Sequence, residues 1–139
     1  AMMPTVTYSN VGDFDVELTV YSRHCTKVIT KPQLIKIAPD PVTNFTVSPA
    51  VGCNPTTVLF TDATSIFSGN VVSWNWNFGD LSGSNAQNPM HTYADSGFYN
   101  INLFVTSEYG CTDDTTITVY INKNPVIPNM NTNWLETMV

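Results

Sequence analysis

Hydrophobic and polar positions alternate most regularly near the middle of the chain. Residues 74–80 have the sequence Trp-Asn-Trp-Asn-Phe-Gly-Asp, so three aromatic residues occupy every second position and share one face of a strand, which the Gly-Asp pair ends. The same period of two returns at residues 99–105. Both patterns predict core strands, with Trp76 and Phe78 buried against apolar residues of neighbouring strands. Those neighbours are predicted to be Val58, Phe60, Ile101, Leu103 and Val105.

Shorter alternating segments predict further strands around these two. Phe45 and Val47 indicate a first strand, residues 56–61 a second and residues 115–121 a last one. Polar segments that contain Gly, Pro, Asn and Ser are predicted to be turns or loops. These segments are 48–55, 62–71 and 80–89. Because no helical periodicity appears between residues 42 and 121, the pattern predicts an all-β fold.

The first part of the chain repeats the second part. An offset of 85 residues, as from Tyr8 to Tyr93, superimposes residues 4–20 on residues 89–105 with their glycine and apolar positions in register. After a turn that is one residue shorter, Cys25 matches Cys111. A period of this length indicates tandem domains.

The repeat suggests four segments. Residues 1–38 are expected to be the C-terminal strands of a preceding unit, whose first half is absent from the sequence. Residues 39–41, Pro-Asp-Pro, form a stiff linker because proline fixes its own φ and restricts the residue before it. A complete unit spans 42–121, and residues 122–139 are a linker or the start of a following segment.

Three motifs resemble the PKD (polycystic-kidney-disease) domain, an immunoglobulin-like β-sandwich of extracellular proteins. They are W-x-W-x-F-G-D at 74–80, N-P-x-H-T-Y at 88–93 and G-x-Y-x-I-x-L-x-V at 97–105. The resemblance covers 42–121 fully and 4–37 in part. It implies an all-β, immunoglobulin-like β-sandwich, with one complete unit preceded by the last two strands of another. The motif positions are Trp74, Trp76, Phe78, Gly79, Asp80, His91, Tyr93, Gly97 and Tyr99.

Composition and charge limit the partners. The 139 residues carry a net charge of −6 and only five Lys and Arg, too few to neutralise the phosphates of nucleic acid or anionic lipid. No apolar run approaches the ~20 residues that a membrane-spanning helix needs. No signal peptide is visible, so we expect a fragment whose export signal lies elsewhere.

Groups that could carry chemistry are scarce. His24 has no motif around it, and the resemblance implies that His91 fixes a turn by hydrogen bonding. No phosphate loop, HExxH, nucleophile elbow or CxxC is present, so no enzymatic activity and no cofactor are expected. Loop carboxylates are weak calcium candidates, because their spacing matches no EF-hand and Asp also favours turns. These candidates are Asp80, Asp95, Asp113 and Asp114.

Aromatic residues offer the other candidate contacts. Trp74 shares a face with Trp76 and is expected to pack in the core, with stacking on a sugar ring as the alternative. Four aromatic residues lie off the inward register and are candidates for domain contacts. They are Phe98, Phe104, Tyr109 and Tyr120. Short glycosylation patterns occur at Asn44 and Thr115.

Cys25, Cys53 and Cys111 make an odd count, so at least one is free or paired outside this sequence. The alternative is that they are small buried hydrophobic residues. In the implied topology, Cys53 and Cys111 lie at opposite ends of a strand that spans ~20 Å, far beyond disulfide reach. Bridges to neighbouring units are therefore favoured over a Cys53–Cys111 bond, which peptide mapping without reduction would reveal.

The Cys53-Asn54-Pro55 and Tyr109-Gly110-Cys111 segments resemble PKD domains of long Bacteroidota surface and adhesion proteins, commonly exported by type IX secretion. This implies a non-catalytic spacer or adhesion module of a secreted or cell-surface protein, whose partners are neighbouring PKD-like units of the same or another chain. The alternative is an accessory carbohydrate- or substrate-binding module of a secreted hydrolase. A polysaccharide or other cell-surface ligand would then be a partner.

The N-terminal segment needs a cover if it is ordered. Phe14, Val16, Leu18 and Val20 would leave one face of an isolated hairpin apolar and its edges unpaired. We expect residues 1–37 to make extensive apolar contacts with other polypeptide. The candidates are upstream residues, a neighbouring copy that adds a strand, or the tail at 125–139.

Overall fold

A computed structural model describes residues 3–125, which contain ten β-strands and no helix. The strands are β1 (Gly12–Tyr21), β2 (Thr26–Ile37), β3 (Phe45–Ser48), β4 (Val51–Cys53), β5 (Thr56–Asp62), β6 (Val71–Asn77), β7 (Gly83–Ser84), β8 (Met90–Tyr93), β9 (Gly97–Ser107) and β10 (Thr112–Asn122). They form a five-stranded sheet in the order β4-β10-β9-β6-β7, a three-stranded sheet β3-β5-β8 and a separate β1-β2 sheet. The predicted tail, apart from its first residues, lies outside the described residues.

The five-stranded and three-stranded sheets pack against each other around one core, which confirms the predicted all-β sandwich. Trp76 is 1% exposed, and its ring lies 5.0 Å from that of Phe45 and 5.5 Å from that of Phe60. Its indole Nε1–H donates to the carbonyl of Ala86 at 2.9 Å, so the buried polar group has a partner. The buried core residues are Phe45, Val58, Phe60, Trp76, Phe78, Tyr93, Ile101, Leu103, Val105, Val119 and Ile121. They include all five of the predicted neighbours.

Two short strands lie where loops were predicted. β4 falls in the segment 48–55 and pairs in parallel with the end of β10, with Val51 opposite Tyr120. β7 falls in 80–89 and pairs with β6, where a Cβ on Gly83 would collide with the carbonyl of Trp76. Strands of two or three residues carry no alternation, and only the edge of the existing sheet specifies them. The last strand also begins at Thr112 rather than at residue 115.

The β1-β2 hairpin reproduces the pairing of the β9-β10 hairpin. Gly12 pairs with Ile37 as Gly97 pairs with Ile121. At the other end, Tyr21 pairs with Thr26, and the equivalent residues of β9 and β10 also pair. The two hairpins therefore share a register at both ends, as the sequence offset requires.

Two extra residues in β2 are absorbed without changing that register. The pairing shifts between Phe14 and Val16, and Gln33 adopts a left-handed φ of 50° at the irregularity. The backbone N–H of Gln33 donates to Asp15 Oδ1 at 2.7 Å, which stabilises the bulge.

An aromatic contact is repeated as well. The rings of Tyr8 and Phe14 lie 4.7 Å apart, and those of their equivalents Tyr93 and Tyr99 lie 4.2 Å apart. Tyr8 therefore contacts β1 as its equivalent Tyr93 contacts β9.

The apolar face of the hairpin has no cover among the described residues. Leu18 is 58% exposed and Val20 52%, whereas their equivalents Leu103 and Val105 are buried. The expectation that residues 1–37 make extensive apolar contacts with other polypeptide is thus not met within residues 3–125. The reason is that β6 and the three-stranded sheet, which cover β9, have no second copy here to cover β1.

Replacing Trp76 with Ala should lower the free energy of unfolding by ~3–5 kcal/mol, because the cavity lies at the centre of the core. Urea denaturation measures this change. Leu81→Ala, at a residue that is 105% exposed, is the control and should leave the midpoint unchanged. A W76A midpoint close to that of the control would contradict the core assignment.

Candidate functional site

Three places in the structure contain candidate functional residues. They are two clefts and the hydrogen-bonded network of His91 and Asp80. The first cleft, about 250 Å³ in volume, lies where the hairpin meets the sandwich. Lys36 Nζ donates to the Tyr109 hydroxyl at 3.3 Å and lies 4.6 Å from the centre of its ring. The Tyr109 hydroxyl raises the pKa of Lys36, since the hydrogen bond favours the charged amine. The lining residues are Val11, Gly12, Asp13, Lys36, Ile37, Ala38, Pro39, Phe67, Ser68 and Tyr109.

The second cleft, about 360 Å³, lies at the same end of the sandwich and includes Trp74. Trp74 is half-buried and packs against the core, as predicted, while one side of it reaches the cleft. Its Nε1–H donates to Asp62 Oδ2 at 2.7 Å, and Gln87 Nε2 donates to the same oxygen at 3.2 Å. Asp62 was not among the predicted site residues, because no sequence motif marks a carboxylate at a strand end that a tryptophan of another strand orients.

The pKa of Asp62 lies below its ordinary value. Burial alone would raise this pKa, but hydrogen bonds from Thr64, Trp74 and Gln87 together outweigh it. The carboxylate is therefore ionised and held in one orientation beside the indole. An oriented carboxylate, an amide and a half-exposed ring are groups that can bind the hydroxyls and the flat face of a sugar.

The motif residues His91 and Asp80 form a turn-fixing network. His91 Nε2 lies 2.7 Å from Asp80 Oδ2, and the imidazole stacks on Phe78 with a centroid separation of 4.4 Å. Tyr93 donates to the carbonyl of Phe78 at 2.9 Å. The side chain of Ser82 approaches the same His91 nitrogen at 3.5 Å. A nucleophile and an orienting carboxylate need different imidazole nitrogens, so this trio is not a catalytic triad.

Of the two motif glycines, only Gly79 sits in a tight place. Gly79 has a φ of 82°, and a Cβ there would lie 2.8 Å from the backbone of Asn100. Gly97 begins β9 and pairs with Ile121. The turn after the tryptophan strand therefore requires glycine at 79 for both conformation and space.

The calcium candidates are dispersed and engaged elsewhere. Asp113 Oδ2 accepts the N–H of Thr43 at 2.7 Å, and Asp114 Oδ2 accepts from Asn102 at 2.8 Å. Asp95 lies in the turn before β9, and its carbonyl accepts from the Tyr99 hydroxyl. Among residues 3–125 no group of three or more His, Cys, Asp or Glu could hold a metal ion.

All three cysteines are free thiols in this chain. Cys25 and Cys53 are exposed, so the alternative of small buried residues is wrong for these two. Cys53 pairs with Asn122, the last residue of β10, whereas Cys111 lies directly before Thr112, the first residue of β10. Eleven residues of strand separate them by ~36 Å, which excludes a bond between them. Bonds to cysteines of neighbouring units stay a prediction.

The four aromatic residues predicted to lie off the inward register are exposed. Phe98 is 77% exposed and Tyr120 45%, and they pair across β9 and β10 with ring centroids 4.6 Å apart. Phe104 and Tyr109 are exposed to a similar degree as Tyr120. Of the two glycosylation patterns, Asn44 is exposed, whereas Thr115 is only partly exposed and lies on the inward register of β10.

The fold and these sites define a β-sandwich module, and its described residues form no catalytic constellation. The family model of the PKD domain matches residues 38–122, and the chain belongs to the PKD domain family. A PKD domain by itself is non-catalytic. Residues 3–125 also contain no helix that could cross a membrane.

The relatives are larger proteins of which PKD domains are parts. Collagenase ColA of Bacillus cereus is 34% identical over 64 residues, which cover 46% of this chain and 7% of the collagenase. The pre-pro-metalloprotease PrtV of Vibrio cholerae is 28% identical over 79 residues, which cover 57% of this chain and 9% of the protease. The chain thus matches less than a tenth of the length of these relatives.

A solved structure supports the fold. The PKD1 domain of Vibrio anguillarum Epp superimposes with a TM-score of 0.55 at 28% identity, over 61% of this chain and 96% of that domain. The immunoglobulin-like sandwich that the motifs implied is therefore the fold of this chain.

The depressed pKa of Asp62 predicts a loss of stability in acid. A carboxylate whose folded pKa is below its unfolded value of ~3.9 stabilises the fold above that value, and this contribution disappears as the pH falls through the folded pKa. Asp80 and Asp113, whose pKa values are also lowered, act in the same direction. The urea midpoint should therefore fall between about pH 5 and pH 2.

Asp62→Asn should make this acid-dependent fall shallower, because the amide keeps an acceptor for Trp74 and does not titrate. Asp40→Asn, in the exposed linker, is the matched control and should follow the wild-type curve. Identical pH profiles for all three proteins would show that Asp62 does not contribute.

Proposed function

We propose that the chain is a non-catalytic PKD module from a tandem array in a secreted or cell-surface protein, where it acts as a spacer or adhesion unit. The observation that carries the proposal is the equivalence of the β1-β2 and β9-β10 hairpins. Both hairpins have the same pairing at each end. In each, a tyrosine ring packs on the aromatic residue two positions after the first glycine of the hairpin. These ring pairs are Tyr8 with Phe14 and Tyr93 with Tyr99. Residues 4–37 are thus the end of one unit, and residues 42–121 are the next.

The junction between these units suits a spacer. Pro39 and Pro41 stiffen the connection, and Lys36 of the first unit binds Tyr109 of the second. When each repeat contacts mainly its neighbours, the number of repeats sets the length of the array, and stiff linkers keep the array extended.

An extracellular setting is supported by the relatives, since one is a collagenase and collagen lies outside cells. The finer assignment to Bacteroidota surface proteins exported by type IX secretion rests on the Cys-Asn-Pro and Tyr-Gly-Cys segments. The partners proposed are neighbouring PKD units of the same or another chain.

A second candidate function is an accessory binding module of a secreted hydrolase. The Trp74 cleft favours it, because the oriented Asp62 carboxylate and Gln87 lie beside a half-buried indole. Both relatives described above are hydrolases that contain similar domains. A neutral polysaccharide is the ligand class that this cleft fits best.

This second function predicts that insoluble polysaccharide removes the chain from solution and that Trp74→Phe, which keeps an apolar ring but loses the indole N–H, weakens the binding several-fold. Depletion assays with cellulose, chitin and xylan measure it. Phe104→Leu, an exposed ring outside the cleft, is the control. If the chain stays in solution with every polymer, or if both variants behave alike, the cleft is not a sugar site.

The tandem arrangement predicts that β1 is stabilised by the strands that precede it in a complete unit. Because residue 89 is equivalent to residue 4, a copy of residues 38–88 fused directly before Pro4 should complete the first unit. Amide hydrogen exchange in β1 and β2 should then slow by at least about tenfold, since a two-stranded sheet alone opens readily.

The matched control is the same fusion with the copied Trp76 and Phe78 replaced by Ala, which should not protect the hairpin. Equal exchange in the fusion and in the unextended chain would contradict the tandem proposal.

A further inference from the structure

The aromatic pair formed by the start of β9 and the end of β10 is an apolar surface that no residue between 3 and 125 covers. Phe98 and Tyr120 stack at 4.6 Å, and Val51 of β4 pairs beside Tyr120 and is 70% exposed. Single exposed apolar residues are common, but these two adjacent rings and the exposed valine beside them form one contiguous apolar patch.

The β1-β2 hairpin carries the equivalent positions and shows what they contact. Phe98 pairs with Tyr120, next to the pair formed by Gly97 and Ile121. In the β1-β2 hairpin, Asp13 pairs with Lys36, next to the equivalent pair formed by Gly12 and Ile37. Phe98 and Tyr120 are therefore the equivalents of Asp13 and Lys36. In the first unit these positions line the junction cleft and face the β9-β10 turn of the next unit.

The opposite end of the complete unit carries the complementary groups. Tyr109, at the β9-β10 turn, already contacts Lys36, and Phe67 beside it is 89% exposed. A surface at one end that fits a different surface at the other end gives a head-to-tail interface, which continues from unit to unit.

We infer that Phe98, Tyr120 and Val51 form the docking surface for a following PKD unit, whose β9-β10 turn places its own Tyr109-like residue on the two rings. The inference rests on the proposed tandem function and extends it to the C-terminal side of the unit. At the first junction the contact is an amine on a ring, which is polar. At the second junction it is ring on ring, so this interface is apolar and insensitive to salt.

The test is a fusion in which a second copy of residues 38–122 directly follows Ile121. Residue 38 is equivalent to residue 122, so the copy continues the chain in the register of the first junction. Hydroxyl-radical oxidation of Phe98 and Tyr120 in the first copy should fall at least about threefold relative to the unfused chain. Unchanged oxidation would overturn the inference.

Substitutions in the first copy of the fusion distinguish units that dock on each other from units that are only linked by the chain. With Phe98→Ser and Tyr120→Ser in the first copy, NMR relaxation should report two units that tumble separately, whereas the unmodified fusion tumbles as one body. Phe104→Ser, on the same sheet face but away from its end, should behave as the unmodified fusion. Circular dichroism of the single chain with the double substitution verifies that it folds. Independent tumbling of the unmodified fusion, or equal effects of both variants, would contradict docking at these rings.

The outcomes distinguish this inference from the function on which it rests. If residues 38–88 protect the hairpin but the rings stay oxidisable in the tandem fusion, the array stands and the docking surface is wrong. If the rings become protected in the unfused chain as its concentration rises, the occupant is a separate copy rather than a following unit, and the inference is also wrong.

Discussion

The structure depends on the burial of one apolar face of the β9-β10 hairpin. Trp76 from β6, Phe78 directly after that strand and Phe60 from the opposite sheet pack on that face. Its inward-pointing residues Ile101, Leu103 and Val105 are inaccessible to solvent. Removing water from this surface supplies the main driving force of the fold, since the loops contribute few apolar contacts. The N-terminal segment has an equivalent hairpin with a similar apolar face, which no other part of residues 3–125 covers.

The core was predictable from the sequence because period-two alternation and the spacing of aromatic residues determine which side chains share a face. Trp76, Phe78 and their apolar neighbours follow directly from that rule. The strands β4 and β7 were not predictable, since a strand of two or three residues takes its conformation from the sheet edge that it joins. Asp62 was missed for a related reason: its hydrogen bond with Trp74 joins the end of β5 to β6 in the other sheet, and only the packed structure brings the two side chains together.

The repeat explains features that would otherwise be unrelated. It accounts for the equal register of the two hairpins, which the bulge at Gln33 preserves despite two extra residues in β2. Head-to-tail docking, as proposed, would give a role to the exposed rings of Phe98 and Tyr120 at one end of the sandwich and of Phe67 at the other.

The most direct test of this account is a crystal structure of a longer fragment of the parent protein that begins at least about 50 residues upstream, enough to supply the strands before β8 in a unit of this size. The account predicts a strand paired along the free edge of β1, with an aromatic residue opposite Leu18 as Trp76 lies opposite Leu103. The edge of β1 unpaired, with Leu18 still exposed to solvent, would contradict it.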